Sequence, residues 1–274
     1  MSGTLYVVGT PIGNLSDISE RALETLSAVD FIAAEDTRVT LKLLNRFEIK
    51  KPLVSFHEHS TRSSMEATVS RLRNGESCAV VTDAGMPCIS DPGEELVKLC
   101  YENDIAVRVV PGPSAVISAL AVSGLSTSRF SFEGFLSVTK KQRFEHLEAV
   151  RNYPNTMIFY EAPHKLISTL KDMLECFGDR RIALCRELTK IYEEVIRLTL
   201  SQALEYYSNK SPKGEFVLVI EGAAQESSEE LTMDEALELV ENLIEKGERA
   251  IDACKAVAKE TGFKKSELYA GICK

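Results

Sequence analysis

Ala79-Val80-Val81-Thr82-Asp83-Ala84-Gly85-Met86-Pro87-Cys88-Ile89-Ser90-Asp91-Pro92-Gly93 runs from an uninterrupted apolar segment into a loop dense in glycine, proline and aspartate, and a helical pattern opens at Glu94. A strand apolar at every position suits a sheet covered on both faces. So many turn-forming residues make a specific, rigid loop rather than a generic linker. The same order recurs around it. Leu5–Val8, Phe31–Ala34, Leu53–Phe56 and Val107–Val110 are short apolar runs ending at polar or turn residues, with helical patterns between them at Ser19–Ala28 and Glu94–Glu102. Strands alternating with helices predict a mostly parallel sheet with helices on both sides. Asp17 and Glu20 have capping-box spacing before the first helix.

The second half has a different texture. Strands are expected at Phe130–Phe135, Thr156–Tyr160, Arg181–Cys185, Glu194–Leu200 and Glu215–Glu221, with a helix near Lys165–Phe177. Val195, Arg197 and Thr199 alternate with Ile196, Leu198 and Leu200, the pattern of a half-exposed strand in a mixed sheet. The expected division is an α/β domain over residues 1–123, a second over 124–225 and a small helical module over 226–274. The module follows a polar break at Gln225–Glu230. Its helices are expected at Met233–Ile244, Ala250–Thr261 and Ser266–Ile272, with Gly262 as a C-terminal stop. Helix, glycine-containing turn and helix resemble a helix-turn-helix. Such a module could contact nucleic acid or serve as a packing element.

Whole-chain properties exclude several classes. The 274 residues lack a secretory signal pattern and any apolar run long enough to span a membrane. The 7 cysteines include no C-x-x-C pair, so reduced, mostly buried thiols in the cytoplasm are expected. A net charge of −9 argues at first against a polyanionic partner. Its distribution weakens that objection, because acidic groups concentrate in residues 226–245 while residues 38–73 and 246–274 are each net basic. Local patches decide whether a polyanion docks.

Candidate chemistry clusters where strands end. Gly9-Thr10-Pro11-Ile12-Gly13 follows the first strand. Pro11 removes a backbone donor that a pyrophosphate cradle needs, so nicotinamide dinucleotides and nucleoside triphosphates are not expected there. The loop suits a ligand without phosphates, and a plain tight turn explains it equally well. Glu35-Asp36-Thr37-Arg38 ends the second strand. Either carboxylate could act as a base, and Asp36 or Thr37 could instead cap a helix. Arg38, Lys42 and Arg46 would form one basic stripe, with Leu41, Leu44 and Phe47 packing inward. In Phe56-His57-Glu58-His59 no third metal ligand has a convincing position, so no metal is expected, and His57 would contact RNA or orient a substrate group. Asp83 could accept from an amine or a ribose hydroxyl. Pro111-Gly112-Pro113-Ser114-Ala115 offers small side chains that let a ligand approach the backbone. Glu161 and His164 have metal-helix spacing, but Pro163 lies between them, and the segment reads as a loop lining a cleft.

Taken together, Gly9–Leu15, Ala34–Arg38, Ser55–His59, Asp83–Gly93, Pro111–Ala115, Phe159–His164 and Gly214–Phe216 resemble the tetrapyrrole methylase superfamily, and within it the branch that methylates ribosomal RNA. The resemblance implies two α/β domains of the class III methyltransferase type, S-adenosylmethionine held between them, and a homodimer. It implies cofactor contacts from Pro11, Asp83, Met86, Ser114 and Ala115 on one side and from Glu161 and Leu188 on the other. It also implies 2′-O-methylation of a cytidine ribose in the decoding region of 16S ribosomal RNA, on free RNA or the small ribosomal subunit. Glu35, Asp36 and His57 are the candidate bases, and Arg38, Lys42 and Arg46 the candidate RNA contacts. The family's loop usually reads Asp-Ala-Gly-Thr-Pro-Leu. Met86 and Cys88 depart from it, so contacts there would come from backbone. Two rival readings are a related methyltransferase acting on a tetrapyrrole or protein side chain, and a ligand-sensing regulator using the C-terminal helices.

Overall fold

The computed structural model describes residues 2–57, 60–224 and 232–272. The chain divides into a compact unit, Met1–Ala223, and a second, Ala224–Lys274. The first unit contains two five-stranded sheets.

Strands β1 (Thr4–Val8), β2 (Phe31–Ala34), β3 (Leu53–Ser55), β4 (Cys78–Val81) and β5 (Ala106–Val110) form the first sheet in the order β3-β2-β4-β1-β5, all parallel. Helices α1 (Glu20–Ala28) and α2 (Thr37–Arg46) follow β1 and β2, and α3 (Arg62–Arg73) and α4 (Glu94–Glu102) follow β3 and β4. The first two crossovers run toward β3 and the last two toward β5. With right-handed crossovers, opposite directions put the helix pairs on opposite faces. The cores agree: Ala22, Leu26 and Leu44 pack with Ile32 and Ala79 on one face, and Val69, Leu72, Leu96 and Cys100 pack with Phe31 and Val80 on the other. Because the chain leaves β1 and β4 toward opposite faces, a crevice opens between their carboxyl ends.

Helix α5 (Ala115–Ser123) leads into the second sheet. Its strands are β6 (Phe130–Phe135), β7 (Thr156–Glu161), β8 (Arg181–Arg186), β9 (Glu194–Thr199) and β10 (Phe216–Ile220), in the order β6-β7-β10-β8-β9. Only β6 and β7 pair in parallel, so the sheet is mixed, as the alternation in β9 predicts. Leu147 of α6 (Lys140–Val150), Leu170 of α7 (Leu166–Phe177) and Ala203 of α8 (Leu200–Ser208) cover one face. Val116, Ala119 and Leu120 of α5 cover part of the other, against Ile158, Ala183 and Val219. The rest of that face is open to the site described below. Arg143 and Asp172 join α6 to α7 as a buried ion pair, 2.6 Å apart. Arg143 also donates to the carbonyls of Ser137 and Val138, so the buried guanidinium is well partnered.

Two local expectations are corrected. The cap of α1 is Ser19, whose hydroxyl accepts from the Ala22 amide, and Asp17 belongs to a 3-10 turn before it. Leu41 is 48% exposed, and α2 turns Thr40 inward in its place, while Leu44 is buried as expected. In the second unit, α9 (Met233–Glu245), α10 (Ala250–Thr261) and α11 (Lys265–Ile272) enclose their own core of Ala236, Val240, Ala253, Cys254, Val257 and Leu268. Gly262 stops α10 in a left-handed conformation. The polar break at 225–230, Glu58, His59 and Cys273 lie outside the described residues. No disulfide joins any of the six described cysteines. No described helix is long and apolar enough to cross a membrane.

Candidate active site

Three loops leave the carboxyl ends of β4, β1 and β5 side by side. The loops after β1 and β4 are tied by a two-way backbone bridge, Thr10 N–H to Gly85 O at 2.9 Å and Gly85 N–H to Thr10 O at 3.1 Å. The loops after β1 and β5 touch through Gly9 and Gly112. A Cβ on either glycine would lie within 2.8 Å of the other's backbone. The sequence therefore places glycine where two main chains must meet, and the small residues Ser114 and Ala115 follow.

The second sheet supplies the opposite wall. Together the two sides enclose a cleft of about 370 Å³. Ile12, Gly85, Met86, Ile89, Ser114 and Ala115 line it from the first half, and Phe135, Tyr160, Glu161, Leu188, Phe216 and Val217 from the second. Glu161 is buried and spent within its own wall. It accepts from Thr169 Oγ1 at 2.5 Å and from the Ala162 amide at 2.8 Å, which fixes the turn into Pro163. Tyr160 packs on Phe132 and Phe135, with ring centroids 4.9 and 5.3 Å away. Burial pushes its hydroxyl up to about 12, so it is neutral at physiological pH. At the rim, Lys190 Nζ bridges Glu187 at 2.9 Å and Glu215 at 2.8 Å.

Backbone strain concentrates on both walls. Cys88 and Ser90 flank Ile89 with φ of 71° and 58°, and Glu187 and Thr189 flank Leu188 with φ of 51° and 66°. Non-glycine residues held in this region cost free energy and cluster where geometry serves a ligand.

A second, more polar cavity of about 590 Å³ adjoins the first, lined among others by Glu35, Phe56, His57, Cys88 and Asp91. Ser90, Asp91 and Phe135 border both cavities. Burial, reinforced by the charges of Glu35 and Asp83, pushes the Asp91 carboxyl up to about 6. The neighbouring carboxylates differ. Arg38 grips Asp36 with Nη2 at 2.6 Å and Nε at 3.0 Å, which holds Asp36 down at about 2 while Asp36 also caps α2. Glu35 Oε2 accepts from the Asp83 amide, and Asp83 Oδ1 from the Asp36 amide, both at 3.2 Å. These bonds latch the ends of β2 and β4 together.

The expected site residues are thus sorted by position. Met86, Ser114, Ala115, Glu161 and Leu188 line the cleft. Pro11 is buried beside it and Asp83 stands at the latch, so neither borders the cleft. Glu35 and His57 line the second cavity, and Asp36 borders neither. Arg38, Lys42 and Arg46 lie exposed along α2. Asp91 belongs to the glycine- and proline-rich loop, but nothing in the sequence distinguishes it there, because its burial and its nearness to Glu35 and Asp83 arise only on folding. Phe135 reads in sequence only as a strand residue, whereas Tyr160 and Phe216 fall within segments that carry the resemblance.

S-adenosylmethionine is a nucleoside joined to an amino acid through a cationic sulfonium, and it carries no phosphate. The cleft fits those features. Its described lining includes Asp91, Glu161, Glu187 and Glu215 but no lysine or arginine, and its floor is apolar or small. An acidic, partly apolar cleft thus lies at the crevice of the parallel sheet and is closed by the mixed sheet, the two-domain arrangement that the sequence resemblance implies.

A family model described as Tetrapyrrole (Corrin/Porphyrin) Methylases matches residues 4–204. Curated relatives named Ribosomal RNA small subunit methyltransferase I are 47% identical in Halalkalibacterium halodurans (97% of this chain, 93% of the relative), 46% in Bacillus subtilis (97% and 93%) and 44% in a Synechocystis species (97% and 96%). Solved structures share the fold. Diphthine synthase is 13% identical with a TM-score of 0.61, covering 81% of this chain and 90% of that one. Uroporphyrin-III C-methyltransferase from Thermus thermophilus, complexed with S-adenosyl homocysteine, is 15% identical with a TM-score of 0.55, covering 79% and 96%. The chain belongs to the tetrapyrrole methylase family of S-adenosylmethionine-dependent methyltransferases. The family model stops short of the C-terminal helices, whereas the curated relatives match almost the whole chain.

Proposed function

We propose that this chain methylates the 2′-oxygen of a cytidine ribose in the decoding region of 16S ribosomal RNA, in the cytoplasm and as a homodimer. The observation that carries the reading is the pair of adjoining cavities, taken with relatives of one name matched end to end. The apolar, acidic cleft receives S-adenosylmethionine, and the polar cavity receives the acceptor nucleoside. Both volumes lie in the usual range for such ligands.

S-adenosylmethionine supplies an activated methyl group, which leaves alignment of the acceptor as the main task of the protein. Met86, Ser114, Ala115 and Leu188 hold the cofactor on the cleft wall, and Glu161 holds the Ala162–Pro163 turn beside it. Phe135, shared by both cavities, offers an aromatic face to a nucleobase. Arg38, Lys42 and Arg46 supply phosphate contacts along α2, with Arg38 also tied to Asp36. The homodimer reading draws on edge strand β5, where the apolar side chains of Val107 and Val109 are 37% and 55% exposed.

The test is methyl transfer from radiolabelled S-adenosylmethionine to small subunits purified from cells lacking this chain, followed by nuclease mapping. Label confined to one ribose 2′-oxygen supports the proposal. Cofactor binding without label on subunits or free RNA rejects it and moves the acceptor to a tetrapyrrole or a protein side chain.

A further inference from the structure

A ribose hydroxyl is a poor nucleophile until its proton leaves, so the proposed reaction calls for a base where the acceptor meets the cofactor. That place is the shared wall of the two cavities. Among the described residues bordering both, Ser90, Asp91 and Phe135, only Asp91 has a titratable side chain. The other carboxylates lie off that boundary. Asp36 and Asp83 border neither cavity, Glu35, Glu94 and Glu95 line only the second, and Glu161, Glu187 and Glu215 line only the first. His57 lines only the second cavity.

We infer that Asp91 is the catalytic base of this transfer, accepting the acceptor hydroxyl's proton at the boundary between the cofactor cleft and the acceptor cavity. The inference rests on the acceptor reading above. The ribose oxygen forms a bond to the methyl carbon and gives its proton to Asp91. The electron pair of the broken carbon–sulfur bond stays on sulfur, and the proton passes from Asp91 to water. The groups facing Asp91 suit this role. Glu35 from the end of β2 and Asp83 from the end of β4 raise its proton affinity by their charge. Tyr160 from β7 and Cys88 from its own loop are both neutral neighbours, and Glu94 opens the helix that follows. A carboxyl poised at about 6 is ionised at neutral pH yet more basic than an ordinary aspartate, the compromise that favours proton abstraction.

The test is single-turnover methylation of small subunits across pH 5–9 by the wild type, Asp91→Asn and Glu35→Gln. The wild-type rate should rise with pH and level off above about 6. Asp91→Asn should still bind S-adenosylmethionine by calorimetry but react about 10²–10⁴-fold more slowly, with that rise abolished. Glu35→Gln should keep the rise and move it to lower pH, since one charge opposing ionisation of Asp91 is gone. Carboxyl carbon NMR of the cofactor-free protein should show a titration near 6 that disappears in Asp91→Asn. Wild-type transfer with an unimpaired Asp91→Asn overturns the base assignment alone, as does loss of the pH rise in Glu35→Gln. Wild-type protein that methylates no ribose overturns the acceptor reading, and the base assignment falls with it.

Discussion

Replacing Gly112 with alanine should destabilise the protein and weaken its hold on S-adenosylmethionine, although the added group is a single methyl. The Cβ would lie 2.7 Å from the Gly9 carbonyl carbon and 2.8 Å from its Cα and oxygen. Reaching ordinary contact near 3.4 Å requires the two main chains to part by about 0.7 Å. The Gly9 amide donates to Val110 O at 3.0 Å between the same two strands, and that separation takes the bond out of range. Overpacking costs about 1–3 kcal/mol and the broken hydrogen bond about 1 more. For a unit of this size the sum lowers Tm by about 5–15 °C. Gly9→Ala should cost a similar amount, because its Cβ would meet Gly112 Cα at 2.6 Å and Met86 Sδ at 2.7 Å. The two methyls contend for one gap, so the double variant should lose less than the sum of the singles. Thermal unfolding and calorimetric titration of S-adenosylmethionine read both effects. Strictly additive losses, or a Gly112→Ala variant as stable as the wild type, would refute the shared-gap argument.

Removing the Asp172 carboxylate with alanine leaves Arg143 buried without its counter-ion and should cost about 3–5 kcal/mol in urea unfolding; a loss below about 1 kcal/mol would show the pair to be solvated. Asp91 binds its proton more tightly folded, at about 6, than unfolded, near 3.9. Stability therefore falls as pH rises between those values and the deficit persists above them. Asp91→Asn should raise Tm at pH 8 and leave it unchanged at pH 3.5, and an equal shift at both would contradict the assignment. Substituting Lys42 and Arg46 with alanine should weaken RNA binding and flatten its salt dependence by about 0.7–0.9 for each phosphate no longer neutralised, with cofactor affinity untouched. A salt slope equal to that of the wild type would take these two side chains out of the RNA-binding face.

Both sheets could be read from the sequence because their strands are unusually plain. Phe31–Ala34 and Cys78–Val81 are buried throughout, and covered parallel strands announce themselves as solid apolar runs. β9 alternates, and the mixed sheet follows from it. Local spacing misled where two residues could do one job. Asp17 and Ser19 both suit a cap, and the 3-10 turn takes the first. Leu41 fits an inward helical stripe, yet Thr40 occupies that direction. The site was legible as a set of loops, since Gly9, Gly85, Gly112 and their neighbours mark strand ends. Roles within it were not. Asp36 and Asp91 both look like loop aspartates, and only the placement of Arg38 beside one, and the burial of the other with Glu35 and Asp83 near it, sends their proton affinities in opposite directions.

Methylation of a small-subunit RNA ribose by this chain is read most directly by nucleoside mass spectrometry of that RNA from cells with the gene deleted, and from the same cells carrying the wild-type chain. One 2′-O-methylcytidine in the decoding region should disappear on deletion and return with the wild type. An unchanged set of ribose methylations in the deletion strain would contradict it.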